Sequence, residues 1–554
     1  MYYFVIVSEK GRLHLRIMTK KSLFLAILVL CLMAVTGCKS GHTNNKNDEN
    51  KSINPAWEKN DKEPITLDWY VNFSWFGAQW GENLVSRKIT EDTGIDINFI
   101  VPSGNESEKF NAYISSDTLP DIITLAWWEP QLDTMISKNM VYPLNELADQ
   151  YDPYFWKVTD KAVCEWYTQK DGNLYCYPNS TFVPQDYEEN KEISSNQTFL
   201  VRKDIYEAIG SPDMTTPEGF KNAVEKAAKQ FPEINGNPII PIGAHAFTDE
   251  GCVSFDQYLQ NFLAIPSEKD GKFYDRYTDP EYIRWLKMFR ELGAKGYLLS
   301  DIFIDQRIQM EEKLAEGRYF CMLYQSTDMA DQQKLLYTKD PNSIYIAVDG
   351  PKNSKGDDPV LPGAGINGWT VTLISKNCKY PERAIALFSY LISDYGQKLT
   401  CLGIEGKTYD MVDGVPVIKK EVKELQNSDR VNYDRLYGAN YTYWMFQDTS
   451  MYSRWIKQLE PPMKQLEEWT YPYTHYLGQY DISFDINTRA GNADINIKKA
   501  WSIALKKLLL APTEKEFDQI YSDFVNTRKK MGFDFVMEES TRLMNEAKEK
   551  VGMK

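Results

Sequence analysis

Ile65-Thr-Leu-Asp-Trp-Tyr-Val71, Ile95-Asp-Ile-Asn-Phe-Ile-Val101 and Asp121-Ile-Ile-Thr-Leu125 are three short apolar runs rich in β-branched and aromatic side chains. Between them lie Asn83–Thr93, an amphipathic helical pattern closed by Gly94, and a second helical pattern over Glu106–Ser115. Strand, helix, strand, helix, strand requires crossover connections, so the strands are predicted to pair in parallel within an α/β layer. In such sheets ligands bind beyond the carboxyl ends of the strands. The segments at those ends are Asn72–Trp80 and Ala126–Glu129, and they hold Trp75, Trp80, Trp127 and Trp128.

Working outward, Phe199–Arg202 reads as a strand running into a helix over Lys203–Gly210. Thr216-Pro-Glu-Gly-Phe220 is a helix start, with Thr216 as N-cap and Pro217 in the first position. Helical patterns follow at 280–295 and 305–317. Strand character returns near Ile344 and at Gly368–Ile374, and Pro381 leads a helix to Ser393. The tail from about residue 495 is mostly helical, with Thr513 capping its later part; Asp481–Asp494 reads as a loop without calcium-loop order. There is no internal repeat.

Composition narrows the function. The formal charge of −15 becomes −19 without the first 37 residues, which hold five basic and one acidic side chain. So acidic a chain argues against nucleic acid and against electrostatic adhesion to anionic lipid. Cys164, Cys176, Cys252, Cys321, Cys378 and Cys401 show no metal-ligand spacing, so they read as free buried thiols or, for Cys164 and Cys176, a bridge. His42, His245 and His475 are far apart in sequence, which removes most zinc and Ser-His-Asp readings. No metal, cofactor or catalytic constellation is predicted.

The N-terminal region carries an address. Lys20 and Lys21 precede an apolar run, Leu23–Val35, too short for a transmembrane helix of about 20 residues. Ala34-Val-Thr-Gly-Cys38 then resembles the lipobox of bacterial lipoproteins, in which the cysteine is acylated and becomes the mature N-terminus. A complete signal can begin at Met18, so residues 1–17 are set aside. Residues 1–37 are read as signal and 38–64 as a polar, flexible stalk. The expected location is the extracellular face of the cell membrane, lipid-anchored through Cys38.

Several ordered strings resemble the family 1 extracellular solute-binding proteins of ABC importers, the maltose-binding-protein group, in its large Gram-positive lipoprotein branch. They are Glu91-Asp-Thr-Gly-Ile95, Leu119-Pro-Asp-Ile-Ile123, Val141–Leu147, Asp171–Tyr175 with Tyr177-Pro178, and Leu200–Ile205 with Thr216–Phe220. Pro381–Ala384, Gly403–Tyr409 and Ala511–Gly532 extend the likeness to the end of the chain. Leu125-Ala-Trp-Trp-Glu129 departs from it, since the aromatic is displaced from the maltose-type position. The resemblance implies a two-lobed, type II-like α/β fold with hinge strands and a mostly helical C-terminal region. Lobe 1 is expected at 65–175 plus 345–405 and lobe 2 at 176–344 plus 406–554. The implied crossings lie near Tyr175–Phe182, Ile344–Val348 and Glu405–Tyr409.

Sugars present apolar ring faces edged with hydroxyls, so a carbohydrate site pairs aromatic plates with planar polar groups. The candidates are Trp75, Gln79 and Trp80 after the first strand, and Trp127, Trp128 and Glu129 after the third. Asn367 and Trp369 lie beside a glycine turn, and Tyr443 and Trp444 are expected to face them from lobe 2. Each alone has a core or surface explanation; together they point to ligand. Asp121, Glu129, Asp171 and Glu405 offer no defined acid–base pair. The expectation is a monomeric binding protein, not an enzyme, that takes an oligosaccharide and delivers it to ABC permease subunits. A surface carbohydrate-active enzyme and a binder of peptides or another solute are the alternatives.

Overall fold

The computed structural model describes residues 4–9, 12–17, 54–59, 62–456 and 461–553. The signal run, Cys38 and the stalk as far as Ile53 lie outside the described residues. The chain divides into two compact units at Ile53 and Asn54. In the first, Phe4–Glu9 pairs antiparallel with Arg12–Ile17. All that follows concerns the second.

That body starts earlier than composition suggests. Within the expected stalk, Ala56–Lys59 is helical and Ala56 is buried, its N–H donating to Asp152 Oδ1 at 3.1 Å. Trp57 packs edge-on against both Tyr154 and Tyr390, with ring centroids 5.3 Å away in each case. One indole in a polar tract supplies a contact that averaged composition hides.

Two sheets organise two cores. The first has the order Ile95–Ile100, Ile65–Val71, Ile122–Ala126, Thr370–Ile374, Tyr177–Pro178. Its first three strands are parallel, as their connections require, and Thr370–Ile374 returns antiparallel on Ile122–Ala126. Asn83 caps the connecting helix Leu84–Thr93 by accepting the Ser86 N–H, and Gly94 closes it at φ 70°. Inside the sheet, Trp69 Nε1 donates to Thr124 Oγ1 at 2.9 Å and Thr124 meets the Thr372 hydroxyl at 2.8 Å, so buried polar atoms on three strands satisfy one another.

The second sheet has the order Ile240–Gly243, Tyr319–Gln325, Gln197–Arg202, Tyr345–Ala347, mixing one parallel with two antiparallel pairings. Helices Pro217–Gln230 and Pro280–Ala294 pack into its core, together with much of the C-terminal run Arg489–Leu509, Glu514–Lys530 and Phe533–Lys550. Thr216 and Thr513 cap their helices as predicted. The loop expected through Asp494 is shorter, because Thr488 accepts the Gly491 N–H and starts a helix at Arg489. All six cysteines downstream of Cys38 are buried free thiols.

The chain passes between the cores at places that differ from those implied by resemblance. Tyr177–Pro178 belongs to the first sheet, and the second is entered at Gln197. Tyr345–Ala347 is an edge strand of the second sheet, so the return comes only between it and Thr370. Glu405–Tyr409 joins neither sheet: Tyr409 is buried in a small separate cluster with Cys401, Leu402 and Tyr452. The third passage follows Phe446, because Ala439 and Tyr443–Phe446, assigned to lobe 2 from the sequence, pack into the first core, and the second core resumes at Met463.

One buried amide meets all three passages. Asn179 Nδ2 donates to the Trp444 carbonyl at 2.9 Å, and its Oδ1 accepts the Thr370 N–H at 2.8 Å. The Asn179 backbone donates to Thr370 O at 3.0 Å and accepts from Trp369 N at 3.3 Å. Gly368 makes room: at φ 66°, a Cβ there would lie 1.9 Å from Asn179 O. Asn179→Ala would leave the buried Thr370 N–H unpaired, while the Trp444 carbonyl keeps the Gln447 N–H, and is expected to cost about 1–3 kcal/mol in denaturant titration. Asn179→Asp should recover part of that loss by keeping the acceptor.

Candidate ligand-binding site

The loops after the strands of the first sheet build an aromatic wall. Phe73 and Trp75 follow Ile65–Val71, Trp369 precedes Thr370–Ile374, and Trp444 is held beside them by the Asn179 bond to its carbonyl. Trp75 and Trp369 are nearly parallel, centroids 5.9 Å apart at 9°, while Trp369 and Trp444 stand 4.5 Å apart at 35°. Phe73 backs the group, 5.4 to 5.6 Å from all three indoles. Trp444 is buried, whereas Trp75 is 43% exposed.

The predicted residues separate into two groups. Trp75, Trp369 and Trp444 come together, although Trp444 joins from the first core instead of facing across from the second. Trp127 begins beside the wall, its N–H 3.4 Å from Trp369 O, and its ring meets the half-exposed Trp128 edge-on at 5.6 Å. Trp80, Tyr443 and Gln79 instead form a structural corner. Trp80 Nε1 donates to Thr90 Oγ1, its ring packs on Tyr443, and the Tyr443 hydroxyl donates to the Gln79 carbonyl at 2.8 Å. Asn367 is a buried connector: its Oδ1 accepts from Trp166 Nε1 at 2.7 Å, and its Nδ2 donates to Asp481 O at 3.2 Å.

Glu129 supports the wall from behind the strand ends. It accepts the Asn72 amide at 2.5 Å and the Ala126 N–H at 2.9 Å. Burial raises its pKa to about 7, outweighing those two hydrogen bonds, and Glu106 adds to the rise. Glu106 itself accepts the Ser74 N–H at 2.6 Å. The other sequence carboxylates are committed elsewhere. Asp121 accepts the Asp68 N–H, and Asp171 accepts from Tyr175 and Asn173 within its own turn.

The second sheet supplies the opposing side, which sequence reasoning missed. Arg307, first residue of the helix Arg307–Ala315, holds its guanidinium 5.5 Å from the Trp75 ring centroid. Glu311 accepts from it at 2.7 Å and Asp328 lies 3.5 Å away. Burial alone would lower the Arg307 pKa, but Asp328 and Glu311 more than offset it. Nearby, His245 stacks on Tyr324 with centroids 4.1 Å apart at 14° and accepts the Gln325 N–H through Nε2 at 3.3 Å. Burial, then the Arg307 charge, push its pKa down to about 3, so this imidazole is neutral. A signal for part of this set existed: His245, Gln325 and Asp328 follow or end the parallel strands Ile240–Gly243 and Tyr319–Gln325, where the strand-end rule applies equally.

A model of the bacterial extracellular solute-binding protein family matches residues 78–398. The fructooligosaccharide ABC transporter substrate-binding protein FusA of Streptococcus pneumoniae is 26% identical over 243 residues, 40% of this chain and 42% of FusA, so that match spans less than half of the relative. The polygalacturonan/rhamnogalacturonan-binding protein YtcQ of Bacillus subtilis is 21% identical over 421 residues, 74% of this chain and 78% of YtcQ. Among solved structures, FusA with kestose superposes with a TM-score of 0.65 at 16% identity, covering 87% of this chain and 99% of FusA. The alginate-binding protein AlgQ2 without calcium gives 0.64 at 18% identity, covering 88% and 99%. The likeness establishes the two-lobed fold.

Glu129 makes stability depend on pH in a definite direction. Its native pKa of about 7 lies above its ordinary 4.5, so the native state holds the proton more tightly than the unfolded chain. Stability from this group is therefore full below about pH 4.5 and falls as pH rises towards 7. Melting temperatures across that window should decline more steeply for the native sequence than for Glu129→Gln.

Proposed function

The chain belongs to the bacterial extracellular solute-binding proteins, and on that premise we propose that it captures an oligosaccharide between its lobes and delivers it to an ABC permease. The wall of Trp75, Trp369 and Trp444 carries this reading. A sugar ring has an apolar face that an indole covers well, and Trp75, packed on the other two indoles, leaves much of its own ring open to one. Arg307 and its carboxylates supply planar polar groups opposite. Carbohydrates are also what FusA, YtcQ and AlgQ2 are described as binding.

The mechanism proposed is hinge closure. Ligand adds contacts that exist only when the lobes approach, so it shifts the population towards the closed form by that difference in affinity. Residues 20–38 support extracellular placement and a lipid anchor on Cys38, with the protein acting as a monomer. Of the four carboxylates considered, Asp121, Glu129 and Asp171 are each tied to nearby donors and form no acid–base pair. We therefore favour binding over hydrolysis.

In a thermal-shift screen, a cognate oligosaccharide at 100 times its dissociation constant should add about 2.7 kcal/mol of stability. If peptides raise the melt and no sugar does, the carbohydrate reading fails; catalytic release of product from polysaccharide would favour an enzyme. Trp75→Ala should weaken the cognate sugar by roughly ten- to hundredfold in calorimetry while changing the unliganded melt little, because the ring is half exposed. Cys38→Ala should move the folded protein from the membrane fraction to the medium.

A further inference from the structure

Neutral and acidic saccharides both satisfy an aromatic wall, but they differ in what they ask of the charges beside it. Four carboxylates border the wall. Glu106 accepts the N–H of Ser74, the residue before Trp75, and Glu129 holds the amide of Asn72, the residue before Phe73. Glu311 and Asp328 flank the guanidinium that lies on Trp75. The cation that touches the wall is Arg307, and its charge is already shared between those two acids.

We infer that the wall selects an uncharged oligosaccharide over one built of uronic acids; the inference rests on the oligosaccharide reading above. A hydroxyl approaching these acids is a donor meeting an acceptor, and the bond takes the strong, charge-assisted form wherever the acid is ionised. A uronate carboxylate is an acceptor with a like charge. It meets Arg307 already committed and must enter a cleft where low polarity strengthens repulsion. It also approaches a molecule whose charge without the first 37 residues is −19, so a polyanion is disfavoured before contact. Discrimination here comes from a repulsive element as much as from an attractive one.

The test is calorimetry of the protein at pH 7.5 and low salt. One panel holds neutral fructo-, gluco- and galacto-oligosaccharides, and the other size-matched oligogalacturonates and alginate oligomers. At least one neutral sugar should bind saturably, with every uronate weaker by about tenfold or more. Raising the salt should narrow that gap, and so should Asp328→Asn, which frees part of the Arg307 charge. A uronate that binds as tightly as the best neutral sugar overturns the inference and leaves the oligosaccharide reading intact. A gap that neither salt nor Asp328→Asn changes also overturns it, because selection would then be by shape. Binding of neither panel overturns both the inference and the reading beneath it.

Discussion

A two-lobed molecule must carry its chain between lobes, and every backbone group at a buried passage needs a partner. Here one side chain bonds residues that border all three passages. Asn179 sits on the first, takes the Thr370 N–H of the second and gives to the Trp444 carbonyl of the third. An amide is suited to the place because it offers a donor and an acceptor in one rigid plane. The residues it fixes are the neighbours of the ligand wall: Thr370 follows Trp369, and the Trp444 carbonyl belongs to an indole of the wall itself. The chain passages and the aromatic wall are thus tied by the same hydrogen bonds, and Gly368 is required where Asn179 O approaches its Cα most closely.

The wall shows how function sets local energetics. Trp75 leaves much of its ring in water, an apolar surface that folding alone would cover. Glu129 is buried where its charge is disfavoured, yet its oxygens hold Asn72 and Ala126 at the strand ends. Both features cost stability, and both lie at the wall proposed to hold ligand. Such departures from local optima concentrate at working sites.

Most elements were legible from pattern. Ile65–Val71 matches its strand, Leu84–Thr93 and Glu106–Ser116 match their helices, and Thr216 and Thr513 cap as expected. Period and cap chemistry are local, so local sequence reveals them. The site was legible in part. Trp75 and Trp369 follow from the strand-end rule and a glycine turn, but nothing local places Trp444 beside them, since that needs the return of Ala439–Phe446 to the first core. Trp80 and Tyr443 looked alike in sequence to the wall indoles and serve structure, because their polar atoms find partners in Thr90 and Gln79. Arg307 was invisible: a surface-type residue at a helix start is marked as part of a site only by the tertiary approach of Trp75.

Trp75, Trp369 and Trp444 are proposed as the plates on which an oligosaccharide is held between two lobes. A crystal structure of the protein with its tightest-binding oligosaccharide tests it most directly. Sugar rings should stack on at least one of these indoles, with Arg307 or its carboxylate partners meeting hydroxyls from the other side. A sugar bound on another surface, with all three indoles uncontacted, would contradict it.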